Sequence, residues 1–384
     1  MVPSSAGLCY GWRACGFKVP AAGGGQAGTE REIRKCGAIF GSIGGGVMAD
    51  LKEFNEELRK KNFRGYWQAV QGDVYREPLP SFEPYLWKGE DLYGAMQRAG
   101  EVVGLETSFR RVIQMSHPSL QGSTTHTLTL NLQMLKPGEH AAAHRHMAGA
   151  IRFITKGRGA RLVVEGESFE IGEGDFATTP NWTWHDHINE SNETLMWLDV
   201  LDSPLVRLLQ VDFHEPYKGD RQPIIKAEGS SFCELSPIRP SWVRPGSIQP
   251  PPYLYRWEET EKILKTVGEK PGDPYDGILL RYANPLTGGP TLPTFSCAIQ
   301  MLRPGEKTLS HRHTSSTIYH VFRGRGTTVI GDVRYEWEEG DSFVVPLWRY
   351  HRHENSHDQP AVLFVMTDQP LMEALGFHRE EGQR

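Results

Sequence analysis

Two histidine patterns, each present twice, constrain this chain more than any other feature. In the first half His144 and His146 are separated by one residue and His185 follows a Gly-Asp turn, and the same arrangement returns at His311, His313 and His351. Side chains alternate between the two faces of a β-strand, so both imidazoles of each pair point the same way. Neutral imidazole binds Fe, Zn, Cu and Ni, so a third histidine from a distant strand can close a metal site in each half.

The spacing around the histidines is repeated as well. His146 lies eleven residues before Gly157, and His313 lies eleven residues before Gly324. Apolar and polar residues alternate from His126 to Leu135, which predicts a half-buried strand, and Gly-rich turns follow at short intervals. Many short strands with such turns favour a β-barrel or jelly roll. The two matching halves therefore predict a duplicated, all-β dominated fold.

The chain divides into five predicted segments. Residues 1–47 hold three of the five cysteines and no sustained periodicity, so we expect a disordered or non-native tail ahead of a start at Met48; a targeting segment is the alternative. An apolar stripe predicts a helix from Met48, and further helices are expected near Asp91–Gly104 and at Tyr255–Val267. The remaining segments are an N-terminal helical arm (48–105), a catalytic barrel (106–215), a linker with a helix (216–270) and a second barrel (271–384).

Composition excludes several classes of partner. The net charge of −5 gives no reason to expect nucleic acid. No run of 18 apolar residues is present, so no membrane span is predicted. The five cysteines form no CxxC pair, which favours a reducing, cytoplasmic setting over a disulfide framework.

Taken together, the two G-x5-H-x-H patterns, each followed by a Gly-Asp turn and a third histidine, resemble the cupin motif. Two copies make a bicupin over residues 126–200 and 293–367, with two double-stranded β-helix (jelly-roll) barrels behind an N-terminal helical segment. Cupins usually carry glutamate five residues after the second histidine, but Ile151 and Ile318 stand there. The runs Trp-Thr-Trp-His-Asp-His187 and Trp197-Leu-Asp-Val-Leu-Asp-Ser-Pro resemble the gentisate 1,2-dioxygenase family, which includes salicylate and 1-hydroxy-2-naphthoate dioxygenases.

The resemblance implies a reaction. The family uses non-haem Fe(II) and O₂ to split the ring of a small aromatic 2-hydroxy acid between its carboxyl-bearing and hydroxyl-bearing carbons, and it is commonly a homotetramer. Gentisate opened between C1 and C2 to maleylpyruvate is the expected reaction, and salicylates or 1-hydroxy-2-naphthoate are alternative substrates. A cupin isomerase or decarboxylase is disfavoured by the missing glutamate, and a metal-binding bicupin without catalysis is the third possibility.

The resemblance also points to particular residues. The expected metal ligands are His144, His146 and His185, with His311, His313 and His351 as a tentative second set. Arg152 alternates onto the face of the histidine pair, where its guanidinium can clamp a carboxylate, and His187 is expected beside the third ligand as a proton acceptor or a group that orients oxygen. The other expected substrate-binding residues are Asn131, Gln133, Arg110 and Arg111. Trp182 and Trp184 are expected in the core, and Tyr319 takes the place of Arg152 in the second barrel.

Overall fold

The structure is a computed structural model that describes residues 45–68, 77–78, 80–106, 108–235 and 250–383. The chain divides into two compact units, residues 1–74 and 75–384. Residues 1–44 of the predicted tail lie outside the described residues.

The described part of the first unit is a helix and a short turn. The helix predicted from Met48 is confirmed and starts slightly earlier, as α1 (Gly45–Lys60), with Arg59 and Lys60 in its last turn, where they face the negative end of the helix dipole. A 3-10 turn follows at Tyr66–Gln68. Trp67 stacks on Phe54, with ring centroids 6.0 Å apart, and so closes the turn back onto the helix.

The second unit consists mainly of strands. Its helices are α2 (Gly89–Val102), α3 (Ser203–Leu208), α4 (Ser230–Leu235), α5 (Trp257–Val267) and α6 (Gln369–Ala374). The strands of the first half are β1 (Tyr85–Trp87), β2 (Val112–Gln114), β3 (Thr129–Leu135), β4 (His140–His146), β5 (Ala150–Lys156), β6 (Arg158–Val164), β7 (Glu167–Gly172), β8 (Phe176–Thr179), β9 (His185–Ile188), β10 (Leu195–Leu201) and β11 (His214–Pro216). The strands of the second half are β12 (Leu254–Tyr255), β13 (Ile278–Arg281), β14 (Ser296–Leu302), β15 (His311–His313), β16 (Thr317–Arg323), β17 (Arg325–Ile330), β18 (Val333–Glu338), β19 (Ser342–Val345), β20 (His351–Glu354), β21 (Ala361–Thr367) and β22 (Glu380–Gly382).

Each half forms a barrel of two antiparallel sheets. The first barrel pairs the sheet β12-β8-β5-β10-β3-β2 with the sheet β11-β4-β9-β6-β7. The second pairs β1-β19-β16-β21-β14-β13 with β18-β17-β20-β15-β22. The strand orders match element for element, so the predicted duplicated, strand-dominated fold of two barrels is confirmed.

The two barrels exchange their first strands. β1 precedes the first barrel in sequence but pairs with β19 of the second, from Tyr85 to Val344. β12 precedes the second barrel but pairs with β8 of the first, from Leu254 to Ala177. The segment boundaries predicted from composition do not contain this exchange, because the choice between two similar sheet edges depends on tertiary contacts that a local pattern does not record.

The largest apolar core lies between the barrels. It joins residues of β3, β5, β8 and β10 to residues of β14, β16, β19 and β21, so the two six-stranded sheets pack face to face. Phe153 of the first barrel stacks on Phe364 of the second with ring centroids 4.1 Å apart. Ile151 and Ile318, which replace the usual cupin glutamate, are fully buried in this core. Since successive side chains of β5 alternate, Arg152 between Ile151 and Phe153 faces the other way, into the barrel.

Matching hydrogen bonds also fasten the barrels together. Asp202, the N-cap of α3, accepts a 2.6 Å bond from Thr294 of the second half, and Asp368, the N-cap of α6, accepts a 2.6 Å bond from Thr127 of the first. The other predicted helices are confirmed with small shifts, since α2 and α5 start at Gly89 and Trp257. Among the described residues, none of the helices is long and apolar enough to cross a membrane.

Candidate metal centre and substrate pocket

Three histidines of the first barrel converge as the sequence predicts. His144 and His146 lie on β4, and His185 opens β9, whose antiparallel pairing with β4 sets His144 directly opposite His185. One nitrogen of each ring lies within 4.8 Å of the corresponding nitrogens of the other two, so the three can hold one metal ion. We call this set the first triad.

The hydrogen bonds of the first triad leave one nitrogen of each ring free for a metal. The Nδ1 atoms lie close to backbone carbonyls: 3.1 Å from Ala142 for His144, 2.7 Å from Ala148 for His146 and 2.9 Å from Thr183 for His185. For His146 and His185 these carbonyls fix the ring proton on Nδ1, as is usual for metal-ligating histidines. Nδ1 of His144 also lies 2.6 Å from the guanidinium of Arg110, which can only donate. Nε2 of His185 is buried and has no hydrogen-bond partner among the described residues. The donor set therefore fits a metal ion.

Burial keeps these imidazoles neutral. Desolvation, with the nearby Arg110 guanidinium, lowers the pKa of His144 to about 2, and desolvation lowers the pKa of His146 to about 3. The same cause holds the pKa of His185 well below its ordinary value. A neutral ring has a lone pair to offer, so the site does not have to lose protons at neutral pH before it binds a metal.

Arg152 lies in the barrel interior beside the first triad and is 1 % exposed. Its Nε donates to Nε2 of His187 at 3.1 Å and lies 3.1 Å from Oδ1 of Asp199, and its Nη1 donates to the hydroxyl of Thr179. Its Nη2 makes no hydrogen bond to any of the described residues. Three side chains thus fix the guanidinium while one edge remains available to a ligand.

His187 is neutral and carries its proton on Nδ1. Its Nε2 accepts the bond from Arg152, and burial together with that guanidinium holds its pKa well below the ordinary value. Nδ1 is buried and has no hydrogen-bond partner among the described residues. The ring lies over Trp197, with centroids 4.7 Å apart. His187 therefore carries a buried hydrogen-bond donor that none of the described residues accepts.

Asn131 and Gln133 face the same pocket from β3. Asn131 pairs across the sheet with Asp199, which in turn pairs with Arg152, so these three residues form one cross-strand row. Gln133 is 1 % exposed, and both polar atoms of its amide lack a hydrogen-bond partner among the described residues. A buried amide without partners is costly, so it indicates a position where a ligand supplies them.

The adjacent arginines Arg110 and Arg111 point in different directions. Arg110 reaches the first triad, with Nη2 2.6 Å from Nδ1 of His144. Arg111 turns away: it makes a two-pronged ion pair with Glu139, at 2.7 and 2.9 Å, and donates twice to the carbonyl of Val103. These contacts give Arg111 a structural role and do not support the expected contact with a substrate.

The tryptophans expected in the core do not lie there. Trp182 and Trp184 are half-buried, and the guanidinium of Arg145 lies between them, 4.3 and 4.5 Å from the two rings. The prediction was wrong because Trp182 adopts a φ of 59°, which turns the chain out of the strand alternation on which it depended. Cation–π contacts of this kind stabilise the turn before His185.

Asp199, Thr179 and His214 were missed by sequence reasoning. Asp199 is 4 % exposed and sits in the apolar strand Leu195–Leu201, where a single acid among apolar residues was the available signal. Thr179 has no distinguishing pattern. His214 stacks on His144 with ring centroids 5.3 Å apart because β11 pairs with β4, a pairing that its irregular surroundings did not indicate.

The second barrel repeats the histidine arrangement. One nitrogen each of His311, His313 and His351, the second triad, lies within 4.8 Å of the others. Gln300 of β14 takes the place of Gln133. The row Asn131, Asp199 and Arg152, however, is replaced across the sheet by Ala298, Val365 and Tyr319. The polar clamp of the first pocket is therefore absent from the corresponding positions of the second.

Comparison with known proteins also identifies two related domains in this chain. The family model for the cupin domain matches residues 131–201 and 298–367, which makes the protein a bicupin. The chain is 41% identical to a 5-aminosalicylate 1,2-dioxygenase from Comamonas sp over 87% of this chain and 91% of the relative, and 35% identical to gentisate 1,2 dioxygenase 1 from Aquipseudomonas alcaligenes over 87% and 97%. Salicylate 1,2-dioxygenase from Pseudaminobacter salicylatoxidans superposes with a TM-score of 0.78 at 28% identity, covering 87% of this chain and 98% of the other.

These relatives are aligned over most of their own length, so they identify the whole chain and not one domain. The chain belongs to the gentisate 1,2-dioxygenase family of bicupin ring-cleaving dioxygenases. It is an oxidoreductase with a metal cofactor, for which the structure offers two histidine triads.

Proposed function

We propose that the first barrel binds Fe(II) at His144, His146 and His185 and opens the ring of a small aromatic 2-hydroxy acid with O₂. Gentisate, opened between C1 and C2 to maleylpyruvate, is the leading substrate. The observation that carries this proposal is the combination of a neutral three-histidine site with two guanidinium groups, those of Arg110 and Arg152, in one buried pocket.

Three neutral ligands leave the full charge of a divalent ion in place, which favours an anionic ligand that can chelate it. When bound, iron supplies the chemistry that ordinary side chains lack: it holds the acid and O₂ together and conducts electrons between them. The side chains around the metal site then bind the acid and orient its reacting atoms.

Arg152 binds the carboxylate of the acid. Its free Nη2 offers a donor, and its other nitrogens are held by His187, Thr179 and Asp199, so the guanidinium does not have to be ordered when the acid arrives. The buried amide of Gln133 supplies further bonds to an oxygen of the substrate. In both interactions the substrate supplies a hydrogen-bond partner to a polar group that has none among the described residues.

His187 orients the reacting atoms as a donor. Since its Nε2 accepts from Arg152, the proton is on Nδ1, and a hydrogen bond from this unpartnered donor would hold a substrate oxygen in place. Of the two roles expected from the sequence, this arrangement favours orientation over uptake of the phenolic proton.

Arg110 becomes available to the acid when a metal is bound. Ligation through Nε2 leaves the His144 proton on Nδ1, which donates to Ala142, so Nδ1 can no longer accept from Arg110. Burial lowers the pKa of Arg110 to about 10, but the group remains charged at neutral pH. Its charge is then free to attract an acid into the pocket.

We further propose that the ring carries a hydrogen-bonding group at its 5-position. Asn131 adjoins Asp199 in the cross-strand row, so its amide can bond a hydroxyl or an amino group. A 5-hydroxyl is present in gentisate, and a relative at 41% identity is named for 5-aminosalicylate. Salicylate and 1-hydroxy-2-naphthoate lack such a group and are expected to react more slowly.

Oxygen consumption and near-ultraviolet absorbance of the ring-opened product test this proposal. Purified protein loaded with Fe(II) is assayed with gentisate, 5-aminosalicylate, salicylate and 1-hydroxy-2-naphthoate. Turnover of the first two above the others supports both parts. Turnover led by salicylate contradicts the role of Asn131, and absence of oxygen uptake with all four contradicts the oxygenase. The homotetramer and the cytoplasmic location stay predictions; light scattering after gel filtration checks the first.

A further inference from the structure

The second triad leaves two lone pairs facing each other. Nε2 of His311 and Nε2 of His351 are 3.0 Å apart. Nδ1 of His351 lies 3.1 Å from the carbonyl of Arg349 and Nδ1 of His311 lies 3.4 Å from a carboxylate oxygen of Glu380, and both of these atoms can only accept. With the ring protons on the Nδ1 atoms, as these acceptors favour, the two Nε2 lone pairs face each other, an arrangement that a cation between them stabilises.

The distance fits a metal ion. Two nitrogens bound about 2.1 Å from one metal at a right angle lie about 3.0 Å apart. Nδ1 of His313, the third ring, lies 2.9 Å from the carbonyl of Ser315, as Nδ1 of His146 lies 2.7 Å from that of Ala148 in the first triad. Beside the rings is a cavity of about 260 Å³ lined in part by Gln300, Tyr319 and Glu380, so the position is open to a ligand or water.

The charge around the second triad is opposite to that around the first. Oδ1 of Asp276 lies 3.8 Å from Nε2 of His311, and a carboxylate oxygen of Glu380 lies 3.4 Å from Nδ1 on the other side of the ring. In the first triad the partner of the corresponding His144 is Arg110. Asp276 and Glu380 beside the rings favour a cation at the second triad, and Tyr319 offers no clamp for an acid where the first barrel has Arg152. Arg281 also lines the cavity and lies close enough to Asp276 to act on its charge.

Glu380 links the site to the end of the chain. It belongs to β22, which pairs with the metal-facing strand β15 from His311 to Gly382 and from His313 to Glu380. The next residue, Glu381, makes an ion pair of 2.8 Å with Arg312, which lies between His311 and His313. The positions of the histidines of the second triad and the position of the C-terminal strand β22 therefore depend on each other.

We propose that the second barrel holds a divalent metal ion on His311, His313 and His351, with Asp276 as its nearest carboxylate, and that this ion is structural: it fixes β22, while the neighbouring carboxylates Asp276 and Glu380 disfavour the acid substrate. The proposal is independent of which acid the first barrel opens.

Metal content of single-site variants is the first test. We expect two transition-metal ions per chain in the wild-type protein by plasma mass spectrometry, and one in each of His146→Ala and His313→Ala. His313→Ala should retain ring cleavage, whereas His146→Ala should retain none. A wild-type protein with one ion, all of it lost in His146→Ala, overturns the proposal. Wild type without oxygenase activity but with two ions would contradict the proposed function and support this inference.

Two further variants test the carboxylates without removing a ligand. Asp276→Asn should release the second ion about tenfold faster to a chelator, in line with the effect of groups that surround metal ligands. Asp332→Asn, at an exposed turn of the same barrel, removes the same charge and should leave release unchanged. In the wild type, chelation of the second ion should speed hydrogen exchange of residues 380–382, and Glu380→Gln should abolish the difference. Equal release from all three proteins, or exchange insensitive to the metal, contradicts the proposal.

Discussion

Replacing Arg152 by lysine tests how the substrate acid is held. Lysine keeps a positive charge near Asp199, whose carboxylate lies 3.1 Å from Nε of Arg152. It removes the planar fork, and with it the bonds to His187 and Thr179 and the free Nη2. Because an ammonium is a point charge, it cannot hold those partners and a carboxylate in one plane.

The size of the effect follows from the contacts that are lost. A hydrogen bond to a charged group contributes about 1.5–3 kcal/mol. We assign about 2–3 kcal/mol to the lost contact with the acid, which corresponds to a fall in kcat/KM of roughly 30- to 150-fold. The bonds to His187 and Thr179 are made with and without substrate, so their loss lowers the free energy of unfolding and contributes little directly to kcat/KM.

The assay compares kcat/KM from oxygen uptake with metal content measured on the same sample. Arg152 makes no bond to the first triad, so the metal content of Arg152→Lys should match that of the wild type. The matched control is Arg161→Lys, on an exposed position of β6 in the same barrel, which should change neither quantity. Unchanged kcat/KM at full metal content would refute the clamp; activity lost in proportion to metal would show that Arg152 supports the metal site and not the substrate.

Three further predictions concern charge and packing. Burial raises the pKa of Asp368 to about 6, compared with about 3.9 in an unfolded chain. Between these two pH values the folded protein keeps a proton on Asp368 that the unfolded chain has lost. The contribution of Asp368 to the free energy of unfolding therefore falls as the pH rises from about 4 to about 6. Asp368→Asn should remove this slope, of the order of 2–3 kcal/mol, from urea unfolding measured between pH 7 and pH 4. Phe364→Ala, which empties the stacked contact between the barrels, should lower the free energy of unfolding by about 3–5 kcal/mol in the same assay. Arg110→Met should raise KM for the acid with little change in stability. Arg111→Met should leave KM unchanged and cost about 3 kcal/mol of stability, because it removes the buried guanidinium that pairs with Glu139. Equal effects of the two variants on KM would contradict the different roles of the two arginines.

The parts of the site that the sequence predicts are those governed by strand alternation. His144 and His146 share an inward face because one residue separates them on β4 and the bulge of that strand lies before them, between Ala141 and His144. Arg152 faces inward by the alternation of β5, opposite to the buried Ile151 and Phe153. The same rule puts Asn131 and Gln133 on one face of β3. For such residues a local pattern is sufficient, because period-two geometry fixes the direction of each side chain.

The sequence does not predict those features in which two alternative arrangements of a side chain, a backbone segment or a strand have similar energies. Arg110 and Arg111 are neighbours of the same type, and only the position of Glu139 decides which of them turns away from the metal. Trp182 leaves the alternation through a left-handed backbone conformation. The exchange of β1 and β12 is a choice between two similar sheet edges, which a duplicated sequence leaves almost equivalent.

The two triads indicate that a histidine pattern predicts a metal site but does not predict which reaction takes place there. Both barrels keep the ligands, yet His144 of the first triad contacts the guanidinium of Arg110, whereas His311 of the second triad lies beside Asp276 and Glu380. A substrate carboxylate about 5 Å from one like charge, at an effective dielectric constant of about 20, is disfavoured by about 3 kcal/mol, and an arginine at that distance favours it by as much. Exchanging the sign of a single neighbour therefore changes the affinity for an acid by several orders of magnitude while the ligands stay the same. Discrimination for or against the acid thus depends on the cross-strand row and on the charged residues beside His144 and His311. We therefore expect these positions, more than the histidines, to decide which barrel binds the substrate.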